Sequence, residues 1–463
     1  MTVRNAARVP PRGPSPPAVR QQRVRFDAVS VLTVYLILLY VMPSNRTFTP
    51  LGGAGSPVLI FGLLAGIWWV WQQVSRSELS VDTRPRPVRI ALFVLLAVSV
   101  VSYIFAMLSP RANIEVNAAD LGMLRLLSLA SVMLLANDTI PNTDRLRTIL
   151  RRLSFAGAVF AALGILQFIT KQSFVDSMVI PGFTTSQDYS SVQDRSGFAR
   201  SAATATNPLE YAFVLAMILP IAITLALEDV DRSRWSRWIP AALMLAALAV
   251  SGSRSGIVGM LLGLAVLFPF WSPKLRIRAI VVGVIGAAGV YVAVPGMIGT
   301  IRGLFLSVGQ DPSTTSRTGS YALAEVFVGR SPLFGRGFGT FLPQYRILDD
   351  QYLLAAIEIG LVGLMALVAM LVVAVITALC TGFTHRSGLD RRLGSALAAS
   401  MITGIVLTTF SDVFSFRMSA GTLFIVLGLC GAYTRLYGRP RFLEPPSAPR
   451  ATTSPTSEVS PPN

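Results

Sequence analysis

The chain has little cysteine, almost no histidine and few charges. Its two cysteines, Cys380 and Cys430, both sit inside apolar runs, which argues against a disulfide framework or a thiolate metal site. A single histidine, His385, leaves no His-based metal centre, and no motif asks for a cofactor. Charged residues make up 14% of the sequence against 52% hydrophobic, with a mean hydropathy of +0.60; a soluble domain carries about 25% charged residues. The soluble globular class is thereby excluded, and an all-α, polytopic integral membrane protein is expected. The formal charge of +17 is almost all arginine and falls between apolar runs. The positive-inside rule produces that pattern, so the charge reports orientation and implies no nucleic-acid partner.

Residues 1–27 are rich in Pro and Arg and read as a disordered basic tail; residues 439–463, rich in Pro, Ser and Thr, read as a second. Between them, residues 28–438 form the transmembrane domain. Apolar runs at about 28–43, 55–75, 88–108, 119–136, 153–170, 209–228, 238–251, 255–272, 279–297, 352–380, 393–411 and 418–436 predict twelve spans, each near the roughly 20 residues that a bilayer requires. No small-residue cleavage site follows the first run, so it is a helix rather than a signal peptide. With the basic tail inside, 27 of the 40 Lys and Arg residues fall on the inner side, 12 on the outer side, and Arg125 lies within a helix. This asymmetry predicts cytoplasmic termini and two long outward loops, about 171–208 and 298–351.

The outward arginines are the minority that this rule leaves unexplained. They cluster as Arg195 and Arg200 in the first long loop, Arg254 in the turn SGSRSG, and Arg302, Arg317, Arg330, Arg336 and Arg346 in the second. Guanidinium forks match phosphate oxygens in bidentate geometry, as a site for a membrane-tethered pyrophosphate requires. A solvated loop charge or a headgroup contact is the plainer reading of any one of them. Arg254 is the exception, because a charge in so short a turn between two spans is costly unless it faces a polar cavity. Arg125, about six residues inside its predicted span, either snorkels or lines such a cavity.

Asn207 and Pro208 suit the start of a helix, with Glu210 favouring its N-terminus. In the second loop Tyr321–Val328 has helical spacing, ended by Pro332 and the glycines beyond it. Gly335, Gly337 and Gly339 follow no strand and precede no suitably placed Lys, so they are no nucleotide loop; they let the backbone approach a substrate or another loop closely. Asp349 and Asp350 stand at the mouth of the following helix, where acids are also favoured by the macrodipole.

Taken in order, these pieces resemble the O-antigen ligase and polymerase family of bacterial envelope glycan enzymes. The resemblance runs over about 195–363: Arg200 before Asn207-Pro208, then Ser253-Arg254, Ser316-Arg317, and Pro332 to Phe341 (PLFGRGFGTF). Asp349-Asp350 follow, then Tyr352-Leu353, Glu358, Gly360 and Gly363. Ligases of this family typically carry His-Asn where this chain has Asp349-Asp350.

The resemblance implies a metal-independent glycosyl transfer at the outer face of the cell membrane. Its donor would be a glycan linked through pyrophosphate to a polyprenyl carrier, and its acceptor a hydroxyl of a second glycan or lipid-glycan. Asp349, Arg254 and Arg317 would be catalytic, with Arg195, Arg200, Arg336, Asp350 and Tyr352 binding substrate. Two other classes stay open: a transporter or flippase for lipid-linked oligosaccharide, and a non-catalytic envelope scaffold. Few ionisable groups lie within helices and no internal repeat is evident, which a transporter would more often show. A scaffold has no need of arginines gathered in outward turns.

Overall fold

The computed structural model describes residues 27–75, 86–175, 178, 180–185, 192–195, 198–229, 231–293, 312–384 and 388–438. Both predicted tails, Arg302 and His385 lie outside them, as do the side chains of Arg195 and Arg317. The helices are α1 (Ala28–Val41), α2 (Pro57–Val74), α3 (Pro87–Met107), α4 (Asn113–Thr139), α5 (Thr143–Thr170), α6 (Pro208–Glu228) and α7 (Arg234–Val250). They continue as α8 (Arg254–Leu267), α9 (Pro273–Ala293), α10 (Pro312–Arg330), α11 (Gln351–Glu358), α12 (Gly360–Thr384), α13 (Gly388–Leu407) and α14 (Arg417–Tyr437). Many begin as their sequences dictate. Asp27, Asn142 and Asn207 accept the N–H groups of Ser30, Arg145 and Glu210, satisfying donors that a helix start leaves open, and Pro57, Pro87 and Pro208 occupy first positions where no N–H is needed.

Among the described residues seven helices are long and apolar enough to cross a membrane: α2, α3, α4, α5, α6, α12 and α14. Helix α1 is shorter, as is the apolar stretch Arg254–Phe270. Helices α6 and α14 form the spine, with 94% and 83% of their apolar windows buried, which explains why both are apolar on every side. The outer helices bury one side and present residues such as Ile67, Trp71, Ile90 and Phe155 outward. Small residues let backbones close up: Gly428 of α14 meets Met133 and Ala136 of α4, and Gly62 of α2 meets Ser128.

The run predicted as one span over 352–380 is two helices. Gly360 takes φ 71°, and a Cβ there would stand 2.2 Å from the Leu333 carbonyl oxygen, so the turn requires glycine. A loop patches the backbone groups that the break exposes. The N–H groups of Leu361 and Val362 donate to the carbonyls of Pro332 and Leu333 at 2.8 and 3.2 Å, while those of Arg336 and Gly337 donate to Ile357 and Glu358 at 3.0 and 2.8 Å. Ser102 of α3 adds its hydroxyl to the Glu358 carbonyl at 2.9 Å. Non-helical backbone at this depth is tolerable because every exposed group is answered from within the protein.

One short hairpin and one long-range strand pair lie in the connections. β1 (Arg46–Phe48) pairs antiparallel with β2 (Phe183–Thr185), and β3 (Val192–Arg195) with β4 (Phe198–Ser201). The loops after α1, α3, α5 and α13 gather at one end of the bundle. Arginine-rich ion pairs tie the other end, joining Arg145 to Asp27, Arg147 to Asp390 and Arg86 to Asp138.

Candidate functional site

At the first of these ends lies a cavity of about 1000 Å³, large enough for a substantial ligand headgroup. Its walls come from the N-terminal half of α4, the start of α6, the 338–349 loop, α11 and the 408–416 loop. Four arginines line it: Arg125, Arg200, Arg346 and Arg417. Three acids join them, Asp349, Glu358 and Asp412.

Each charge is positioned by its element. Arg125 lies twelve residues into α4 (125 − 113), about 18 Å along the axis at 1.5 Å per residue; it lines the cavity rather than reaching for the membrane surface. Arg200 sits on β4 and packs over Gly252, where a Cβ would come within 3.5 Å of its Cγ. It therefore rests on the turn that carries Ser253 and Arg254. Gly252 holds φ 59°, and Ser253 accepts the Gly256 N–H at 3.3 Å to start α8. Arg346 lies against α10, its Nη2 only 2.9 Å from where a Gly319 Cβ would be. Arg417 opens α14 and donates to the carbonyls of Ser44 and Arg46.

Asp349 and Asp350 separate cleanly. Asp350 is the N-cap of α11, accepting the N–H groups of Tyr352 at 2.9 Å and Leu353 at 3.2 Å. Asp349 faces the cavity. Asp412 faces it from the opposite loop, where burial pushes its carboxyl up to about 6; Asp349 adds to the rise, and the Ser415 hydrogen bonds and the Arg125 charge oppose it.

The remaining predicted site residues divide. Arg200 and Asp349 both line the cavity, whereas Arg254 does not line it and follows the Gly252 turn against which Arg200 packs. Arg336 does not line it: its guanidinium pairs with Glu115 and lies 5.1 Å from the Phe327 ring centroid and 5.0 Å from that of Tyr345. Tyr352 is also held away, donating its hydroxyl to the Ile405 carbonyl at 2.9 Å, and Asp350 serves the helix end. Arg195 lies on β3, opposite Phe198, and Arg317 lies on α10, two residues before Gly319.

The glycine-rich loop packs closely against other segments of the chain, and Gly339 also lines the cavity. A Cβ on Gly335 would stand 2.3 Å from the Glu358 carbonyl oxygen, one on Gly337 2.3 Å from Ala106, and one on Gly339 2.8 Å from the Ala118 carbonyl oxygen. Sequence reasoning missed Asp412 and Arg417. The signal was available, since both sit in a turn of a few residues between two apolar runs, the setting that singled out Arg254.

Comparison with known proteins adds the following. Residues 239–368 match the family described as O-antigen ligase. That segment contains Arg254, Arg317, Arg346, Asp349 and Glu358; Arg125, Arg200, Asp412 and Arg417 lie outside it. No curated protein matches the chain. A solved chain from work on the structural coordination of polymerization and crosslinking by a peptidoglycan synthase complex is similar at a TM-score of 0.40 and 16% identity, covering 74% of this chain and 96% of that one.

Proposed function

We propose that this chain, which carries an O-antigen ligase segment across residues 239–368, is a membrane glycosyltransferase that transfers or polymerises a polyprenyl-pyrophosphate-linked glycan at the outer face of the cell membrane. The observation that carries this reading is the cavity itself, which four arginines line together with Asp349 while the neighbouring Asp350 caps α11. An acceptor hydroxyl of a glycan or lipid-glycan attacks the anomeric carbon of the donor. The new C–O bond forms as the bond to pyrophosphate breaks, and the hydroxyl proton passes to Asp349. Departure of the pyrophosphate is the step where charge develops most, and preorganised cations act there.

In this reading Arg200, Arg346 and Arg125, which line the cavity, receive that charge. Arg254 and Arg317 act with them in this reading, Arg254 from the turn against which Arg200 packs and Arg317 from α10, against which Arg346 lies. Asp349 acts as the general base, a role contributing on the order of 10²–10⁴-fold. Family ligases typically place His at this position, and a carboxylate there needs help from its surroundings to be an effective base.

Deletion of the gene tests the reading. A surface polysaccharide should be shortened or lost while its lipid-linked precursor accumulates facing outward, where a glycosidase added to spheroplasts digests it. Precursor that accumulates protected on the inner face would support transport instead, and unchanged polysaccharide would support a scaffold.

A further inference from the structure

We propose that Asp412 is a positioning residue for Asp349: across the shared cavity its negative charge keeps the neighbouring carboxylate a competent base. This rests on the assignment of Asp349 as the general base.

The two acids come from different loops that are stitched together beside them. Two residues after Asp349, the Gln351 N–H donates to the Thr408 carbonyl at 3.2 Å. Two residues after Asp412, the Phe414 N–H donates to Gln351 Oε1 at 2.8 Å. These two bonds hold the segment after Asp349 against the segments on either side of Asp412. Asp412 accepts the Ser415 hydroxyl through Oδ2, but its Oδ1 is buried with no hydrogen-bond partner among the described residues. A buried oxygen without a donor is costly, and helix capping or loop closure needs only Oδ2. The charged groups around it are Asp349 on its loop, Arg125 on α4, Glu358 on α11, and Arg346 and Arg417 on the cavity wall. Asp349 raises the Asp412 carboxyl, and the repulsion between two like charges is a property of the pair.

The pH dependence of kcat/KM tests this on the full chain in nanodiscs. The donor probe is the lipid-linked glycan extracted from the deletion strain. The wild-type acid limb belongs to the pair, whose later proton leaves Asp412 at about 6. Asp412→Asn removes the like charge and should move that limb down by about one pH unit. Ser415→Ala removes a bond that favours the charged form, and should move the limb up. Ser415 is exposed, so this variant decides the matter alone if Asp412→Asn does not fold. A limb that stays in place in the folded variants overturns the proposal, while an inactive Asp349→Asn still upholds the base. Wild-type turnover in Asp349→Asn overturns both.

Discussion

The carboxylate of Asp350 accepts the N–H of Tyr352 at 2.9 Å, and this contact leaves Asp349 without a capping task. Asp350→Ala should therefore cost about 1 kcal/mol of stability, as loss of an N-cap does. Asp350→Asn, itself a good cap, should be nearly neutral. Thermal unfolding in detergent checks both, and an Asp350→Ala protein as stable as wild type would remove the capping assignment.

The helix break and its patch make a second expectation. Gly335→Ala and Gly360→Ala each force an alanine into positive φ, with its Cβ 2.3 or 2.2 Å from a backbone carbonyl oxygen. Strain of this kind costs on the order of 1–3 kcal/mol, and the contact adds to it. Both variants should give little monodisperse protein on size exclusion. Gly329→Ala is the control, because nothing lies within 4 Å of that site and alanine suits a helix.

Arg336 and Glu115 are partners in a largely buried ion pair, side chains 12% and 5% exposed. Glu115 also accepts the Tyr345 hydroxyl. Arg336→Gln and Glu115→Gln should each destabilise the protein, and the double variant should lose less than their sum, because each single change strands a buried charge. Strict additivity in thermal unfolding would show that the pair is not coupled.

Helix positions were legible in the sequence where apolar runs are long and uniform: α2, α3 and α6 fall within two residues of their predicted bounds. It was illegible where polar and apolar residues mix along a helix. Helix α4 begins at Asn113 and α5 at Thr143, several residues before their apolar runs, because tertiary partners such as Arg336 for Glu115 and Asp27 for Arg145 satisfy those turns. The break at Gly360 left no trace in hydropathy, since its patch comes from residues 332–337. In the cavity, Arg200, Asp349 and the alternative for Arg125 were readable from position. The diversion of Arg336 and Tyr352 was not, because their partners are distant in sequence.

Orientation is checked by thiol labelling in a background with Cys380 and Cys430 replaced. Ser109 follows α3 at the cavity end and Ser233 precedes α7 at the other, and both are exposed. With the cavity outward and both termini cytoplasmic, Ser109→Cys should react with a membrane-impermeant reagent in intact cells and Ser233→Cys should not. The reverse pattern would invert the topology.

Arg254→Lys keeps the charge and loses the planar fork. Because Arg254 follows the Gly252 turn against which Arg200 packs, turnover should drop strongly with normal membrane insertion, while Lys at Arg330 should be tolerated. Full activity in Arg254→Lys would reduce it to a structural charge.

Turnover of Asp349→Asn with the extracted lipid-linked donor tests the central claim most directly. Asparagine keeps the shape and removes the basicity, so kcat should fall by about 10²–10⁴-fold while donor binding persists. Wild-type turnover in a folded Asp349→Asn protein would contradict a base at this position.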